Sequence, residues 1–116
     1  MTKTKKKTLQ IFVNALRSNK YKKATGRLKR GDRFCAFGVA CDLYAKENED
    51  FYWVKSQGNE FEFSDEKGIY HDIIPPNKVV NRLGISRAIR DYIIEMNDGK
   101  RSFKEIASYL EGKYLS

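Results

Sequence analysis

The sequence predicts an α+β fold, with four to five helices packed on a small antiparallel β-meander. Three observations carry this expectation. Apolar residues recur with helical spacing near both ends of the chain and across 35–46. They alternate with polar residues between Phe51 and Phe63, as in half-exposed strands. Glycine, proline and Asn-Asp clusters separate these runs. The 116 residues suffice for one ordinary core. A hydrophobic fraction of 41% and an aromatic fraction of 13% exclude a chain kept disordered by its charge. No apolar run approaches the roughly 18 residues of a membrane span.

Residues 1–7 read as a disordered basic tail, leaving 8–116 as a single α+β domain. Thr8 can cap a first helix whose Leu9, Phe12, Val13 and Leu16 follow the i, i+3, i+4, i+7 pattern and which ends near Ser18-Asn19. A signal peptide is not expected, because Gln10 and Asn14 interrupt the apolar part and no small-residue cleavage site follows. In KYKKATGRLKRGDRF, Gly26 and Gly31-Asp32 mark turns, predicting a short basic hairpin or loop. Residues 35–46 suit a buried helix, with Ala36, Val39, Ala40 and Leu43 as a stripe and Gly38 permitting close approach of another element. Whether that small-residue helix packs internally or across a homo-oligomer interface is left open.

Phe51–Val54 and the alternating Phe61/Phe63 segment predict two strands, and Ile69–Ile74 a weaker third. Asn77–Leu83 predicts a short helix between Pro76 and Gly84. Ser86 begins the next, with Ile89, Tyr92, Ile93 and Met96 on one face and Asn97-Asp98-Gly99 closing it. Ser102 and Glu105 form a capping box for a last helix carrying Phe103, Ile106, Ala107 and Leu110.

The net charge of +8 is unevenly spread. Residues 1–33 hold twelve basic side chains against Asp32 alone, a local charge of +11; the rest holds 11 basic and 14 acidic, or −3. Such a cluster attracts polyanions, less so at high salt. The segment Tyr21–Phe34 interleaves aromatic and basic residues, which is what a nucleotide needs: stacking for the base and charge for the phosphate. Asp42, in an otherwise apolar helix, needs a partner, and the upstream arginines Arg27 and Arg33 are the expected ones; the alternative role is a ligand-orienting acid.

No P-loop, dinucleotide fingerprint, zinc spacing or nucleophile elbow is present, so no enzymatic activity and no cofactor are expected. Cys35 and Cys41 lie six residues apart, about 240° around a helix, and so neither bridge nor share a metal. They read as small buried hydrophobes in a reducing cytosol. The last two helices invite a helix-turn-helix reading. However, Arg87 and Arg90 stand beside Asp91 and Glu95, which is not a basic groove reader.

The run ALRSNKYKKATGRLKRGDRFCAFGVACDLY resembles a small protein family of bacteriophages and prophages. That family has the pattern LRSGxY, then CCLGVxCDLY, then NDxGxSFxxIA. The match runs through Leu16, Arg17, Ser18, Tyr21, Gly26 and Leu28, then Cys35, Gly38, Val39, Cys41, Asp42, Leu43 and Tyr44. It continues at Leu83, Gly84, Asn97, Asp98, Ser102, Phe103, Ile106 and Ala107. It departs at Asn19, where the family has glycine, and at Ala36 and Phe37, where it has cysteine and leucine. The lost cysteine weakens any argument for thiol chemistry. The resemblance implies a setting, the cytoplasm of an infected bacterial host, in which small proteins without catalytic motifs act by binding.

The expected function is therefore a non-enzymatic counter-defence protein that sequesters an anionic nucleotide-type ligand through the segment 17–33. Arg17, Lys20, Arg27, Lys29 and Arg33 are the expected phosphate holders, Tyr21 the stacking ring, and Asp42 the orienting acid, with Asn97 and Asp98 as further polar candidates. Two alternatives stand: a nonspecific nucleic-acid binder dependent on Lys3–Lys7, and an inhibitor of a host defence or regulatory protein that docks through the aromatic hairpin Phe51–Phe63. No membrane partner is expected.

Overall fold

The computed structural model describes residues 1–116 as an α+β fold measuring 40 × 29 × 25 Å. Helix α1 (Lys3–Arg17) leads into three two-residue strands, β1 (Lys22–Lys23), β2 (Lys29–Arg30) and β3 (Arg33–Phe34). Helix α2 (Ala36–Glu47) precedes β4 (Tyr52–Lys55), β5 (Glu60–Ser64) and β6 (Tyr70–His71). Helices α3 (Asn77–Leu83), α4 (Arg87–Asp98) and α5 (Phe103–Leu110) follow, and α5 runs into one π-helical turn, Glu111–Leu115. No helix is long and apolar enough to cross a membrane.

The lysine run at the start is not a tail but the first turns of α1. Thr2, rather than Thr8, caps the helix by accepting from the Lys5 amide. Lysine favours helix nearly as well as alanine, so a capped lysine run extends the amphipathic stripe behind it. The turn is held down by packing: Met1 and Lys5 lie against Gly84, whose φ of 75° and bare α-carbon let α3 end there. The stripe Leu9, Phe12, Val13 and Leu16 is buried, as the periodicity requires.

The sheet is mixed rather than a simple antiparallel meander. Its order is β1-β3-β2-β5-β4, with β6 also on β5. The basic hairpin β2–β3 forms around Gly31 and joins the predicted β4–β5 hairpin through β2–β5, while β1 pairs in parallel with β3. The third strand of the meander shrinks to Tyr70–His71; Ile69, Ile73 and Ile74 stay exposed, because that segment pairs only with Phe63 and Ser64.

Helix α2 packs its N-terminus against the main chain of the basic segment. A β-carbon on Gly38 would lie 1.8 Å from the Leu28 carbonyl oxygen, so only glycine fits. That oxygen accepts from the Cys35 amide. Cys35 is the cap of α2 rather than part of it, its sulfur accepting from Gly38 N at 3.3 Å. Asn97, buried at the end of α4, completes the junction: Oδ1 accepts from Ala36 N at 3.0 Å and Nδ2 donates to Ala24 O at 2.9 Å. On α4, Ile93 is buried as predicted, while Tyr92 stays largely exposed and packs on Tyr109.

Candidate functional site

The sequence candidates divide into three groups. Arg17 leaves the basic segment altogether: its guanidinium forms a two-pronged bond to Glu111 (2.9 and 3.2 Å) and reaches Ser108, stapling α1 to the end of α5. The hydrogen bond from Arg17 holds the Glu111 carboxyl below its ordinary value. Arg27 pairs with Glu60 and Asp72, at 3.3 and 3.6 Å. Asn97 fastens α2, and Asp98 accepts from the Gly26 amide at 3.0 Å. These four have partners within the fold. Lys20 and Arg33 are exposed and pair with no carboxylate within 4.0 Å.

Tyr21, Asp42 and Lys29 do come together, around residues that the sequence had not singled out. Asp42 pairs with neither Arg27 nor Arg33. Arg27 is taken by Glu60 and Asp72, and Arg33 meets no carboxylate. Instead Oδ2 accepts from the Tyr21 hydroxyl at 2.7 Å and Oδ1 from Trp53 Nε1 at 3.1 Å, and Lys46 lies 3.5 Å away, one helical turn on. Burial, and then the bond to Asp42, push the Tyr21 hydroxyl well above its ordinary 10.0. Tyr21 packs edge-on against Phe34, and Phe34 edge-on against Trp53. Tyr21 is thus a half-buried wall rather than a free stacking face.

Strand pairing then lays out an ordered row. Lys23 lies opposite Phe34, Phe34 opposite Lys29, Lys29 opposite Phe61, and Phe61 opposite Lys55. Residues directly opposite share a face of the sheet, so five strands present Lys-Phe-Lys-Phe-Lys side by side. At about 4.8 Å per strand the row spans roughly 19 Å, with a cation about every 10 Å. Lys29, at its centre, places its ammonium 4.3 Å from the Phe61 ring centroid, 5.2 Å from Phe34 and 5.4 Å from Trp53. Phe34 is buried, Lys23, Lys29 and Phe61 are half-buried, and Lys55 is exposed. The next row on this face is Trp53 opposite Phe63 opposite His71.

Residues 3–114 match the family described as Domain of unknown function (DUF8296). The chain belongs to that family. No curated protein and no solved structure matches it. The DUF8296 match takes in every residue of the row, of the Asp42 network and of the α2 junction.

Trp53 and Phe61 had a legible signal in the alternation of the hairpin, and Lys46 one in its i, i+4 spacing from Asp42. Their convergence with Lys29 had none, because it depends on β2 pairing with β5. No group of three His, Cys, Asp or Glu side chains is placed to hold a metal ion. Burial raises the Cys35 thiol to about 11 and the Cys41 thiol well above 9.0, which leaves both protonated near neutral pH. What this face offers chemically is charge and aromatic area, not a nucleophile.

Proposed function

We propose that the protein is a non-enzymatic binder of an anionic, nucleotide-type ligand, which it takes up on the Lys23-Phe34-Lys29-Phe61-Lys55 row. The observation carrying this reading is the strict alternation of cation and aromatic ring across five strands. Phosphates need cations and bases need π-faces, and the strand register sets the lysines at fixed spacing around Phe61, the part-exposed ring of the row. Lys29 gains from the three rings around it, yet has no carboxylate partner within 4.0 Å. Beside the resemblance to phage proteins, this supports reading the protein as a sponge or inhibitor acting against host defence in the bacterial cytoplasm.

Trp53 is the single tryptophan and borders the row, so its fluorescence reports occupancy. A panel of linear and cyclic nucleotides and a short single-stranded oligonucleotide, titrated at low salt, should quench it and raise the melting temperature. Lys29→Ala and Phe61→Leu should each weaken binding about 5- to 100-fold, the range of a lost base-stacking or charge contact. No response to any member of the panel sinks the proposal. A response to the oligonucleotide alone, falling steeply with salt, selects the nonspecific nucleic-acid alternative. Because residues 3–7 belong to α1 and Thr2 caps it, that alternative is tested by Lys3→Glu and Lys6→Glu rather than by truncation.

A further inference from the structure

A groove of about 450 Å³ lies between α1, α2 and α3, apart from the lysine–phenylalanine row. Its walls are three helical stripes of i, i+3, i+4 spacing: Thr4, Lys7, Thr8 and Ile11 from α1; Ala40, Leu43, Tyr44 and Glu47 from α2; Val79, Arg82 and Leu83 from α3. Phe12, Ala40, Val79 and Leu83 form a buried floor, yet Ile11 above them is 46% exposed. An apolar floor with an unburied apolar wall, in the size range of about 300–1,000 Å³, is the usual form of a small-molecule site.

The rim has a sign. It carries Lys7, Lys46 and Arg82 against Glu47. Lys46 already shares Asp42, but Lys7 and Arg82 have no carboxylate within 4.0 Å. Two unpaired cations at the mouth of an apolar cleft complement a ligand of the opposite construction.

We infer that this groove binds a small amphipathic anion, an apolar ring or acyl chain bearing one carboxylate, sulfonate or phosphate. The apolar body lies on Ile11, Leu43 and Tyr44, whose side chains keep accessible surface, and the anionic head is held at the rim by Lys7 and Arg82. The hydroxyl of Thr8 bonds to the Thr4 carbonyl and leaves the head to the cations. This site is independent of the sheet row and would stand if the row bound nothing.

The test uses anilinonaphthalene sulfonate, whose fluorescence rises in an apolar site, on the intact chain with near-ultraviolet circular dichroism as the check of folding. The expected result is saturable one-to-one binding to the native protein, displaced by decanoate and not by decyltrimethylammonium at equal concentration. Lys7→Glu combined with Arg82→Glu should weaken binding about tenfold or more, the equivalent of roughly one lost charge contact. Ile11→Glu should do the same by placing a carboxylate in the mouth. Ile73→Lys, in the exposed 69–74 segment, should change nothing. Absence of binding, equal displacement by the cation, wild-type affinity in either folded groove variant, or loss of binding in Ile73→Lys overturns the inference.

Discussion

Asn97→Ala separates a fastening role from a ligand role. The side chain is 1% exposed and spends both ends on main chain, Oδ1 on the Ala36 amide and Nδ2 on the Ala24 carbonyl. Truncation leaves one buried donor and one buried acceptor without partners, each costing about 1–3 kcal/mol. The gross expectation is thus about 2–6 kcal/mol. The crevice beside Asn97, open on one side and of about 10 Å³, is at the lower limit for one water. Removing the amide enlarges it, and a water bridging Ala36 N and Ala24 O recovers part of the loss, so about 2–4 kcal/mol is expected. For a chain of this size that lowers the melting temperature by roughly 8–16 °C. Asn97→Asp provides the control. It keeps an acceptor for Ala36 but sets a second oxygen against the Ala24 carbonyl. Its carboxyl is therefore raised above the unfolded value of about 3.9, and its deficit is full at neutral pH and shrinks as pH falls toward about 4. Urea unfolding followed by circular dichroism measures all three proteins. A loss below about 1 kcal/mol in Asn97→Ala, or an Asn97→Asp variant as stable as wild type at pH 7, refutes the fastening account.

Three further outcomes follow from the same geometry. Gly38→Ala drives a methyl into the Leu28 carbonyl, which cannot retreat while it accepts from Cys35, so the variant should lose more than about 4 kcal/mol and fail to fold; native near-ultraviolet circular dichroism would refute this. Neither thiol should be alkylated by iodoacetamide in the native protein at pH 8, and both should be in urea, as read by mass spectrometry. The thiol of Cys35 is raised from 9.0 to about 11, so the stability from keeping it neutral is full below about pH 9 and is lost as pH rises toward 11. Asp42→Asn should cost about 1–2 kcal/mol and lower the Tyr21 hydroxyl part of the way, burial being the larger cause of its rise, seen as an earlier alkaline absorbance change after subtraction of the Tyr21→Phe spectrum. An unmoved titration would mean that Asp42 does not govern Tyr21.

The helices were legible where sequence carries local instructions. Pro76 and Gly84 bound α3, Ser86 starts α4, and the Ser102–Glu105 box starts α5, because caps act within one turn. The first turn of α1 was missed because a lysine run reads the same free or packed; only Gly84, 79 residues beyond Lys5 in sequence, decides it. Tyr21 and Lys29 stood out through charge and aromatic interleaving and Asp42 as an acid in an apolar helix, and the fold gathers the three around Phe34 and Trp53. Their partners were not legible. Arg17 meets Glu111 across 94 residues, and Lys29 meets Phe61 through a strand pairing that no local pattern encodes. Asn97 read as the close of a helix, and its role in fastening α2 was not legible, since the carbonyl it meets lies 73 residues earlier.

The segment 24–35 is held by the buried side chains of Leu28 and Phe34 and by backbone bonds outward, from the Ala24 carbonyl to Asn97, the Gly26 amide to Asp98 and the Leu28 amide to the Asp72 carbonyl. The exposed side chains of Lys22, Arg30 and Arg33 take no part in those bonds. Anchorage and display are thus carried by different atoms. Charge reversals at Lys22, Arg30 and Arg33 should therefore change the field of this surface while Gly38, Asn97 and the Leu28 carbonyl hold the same loop in the same place.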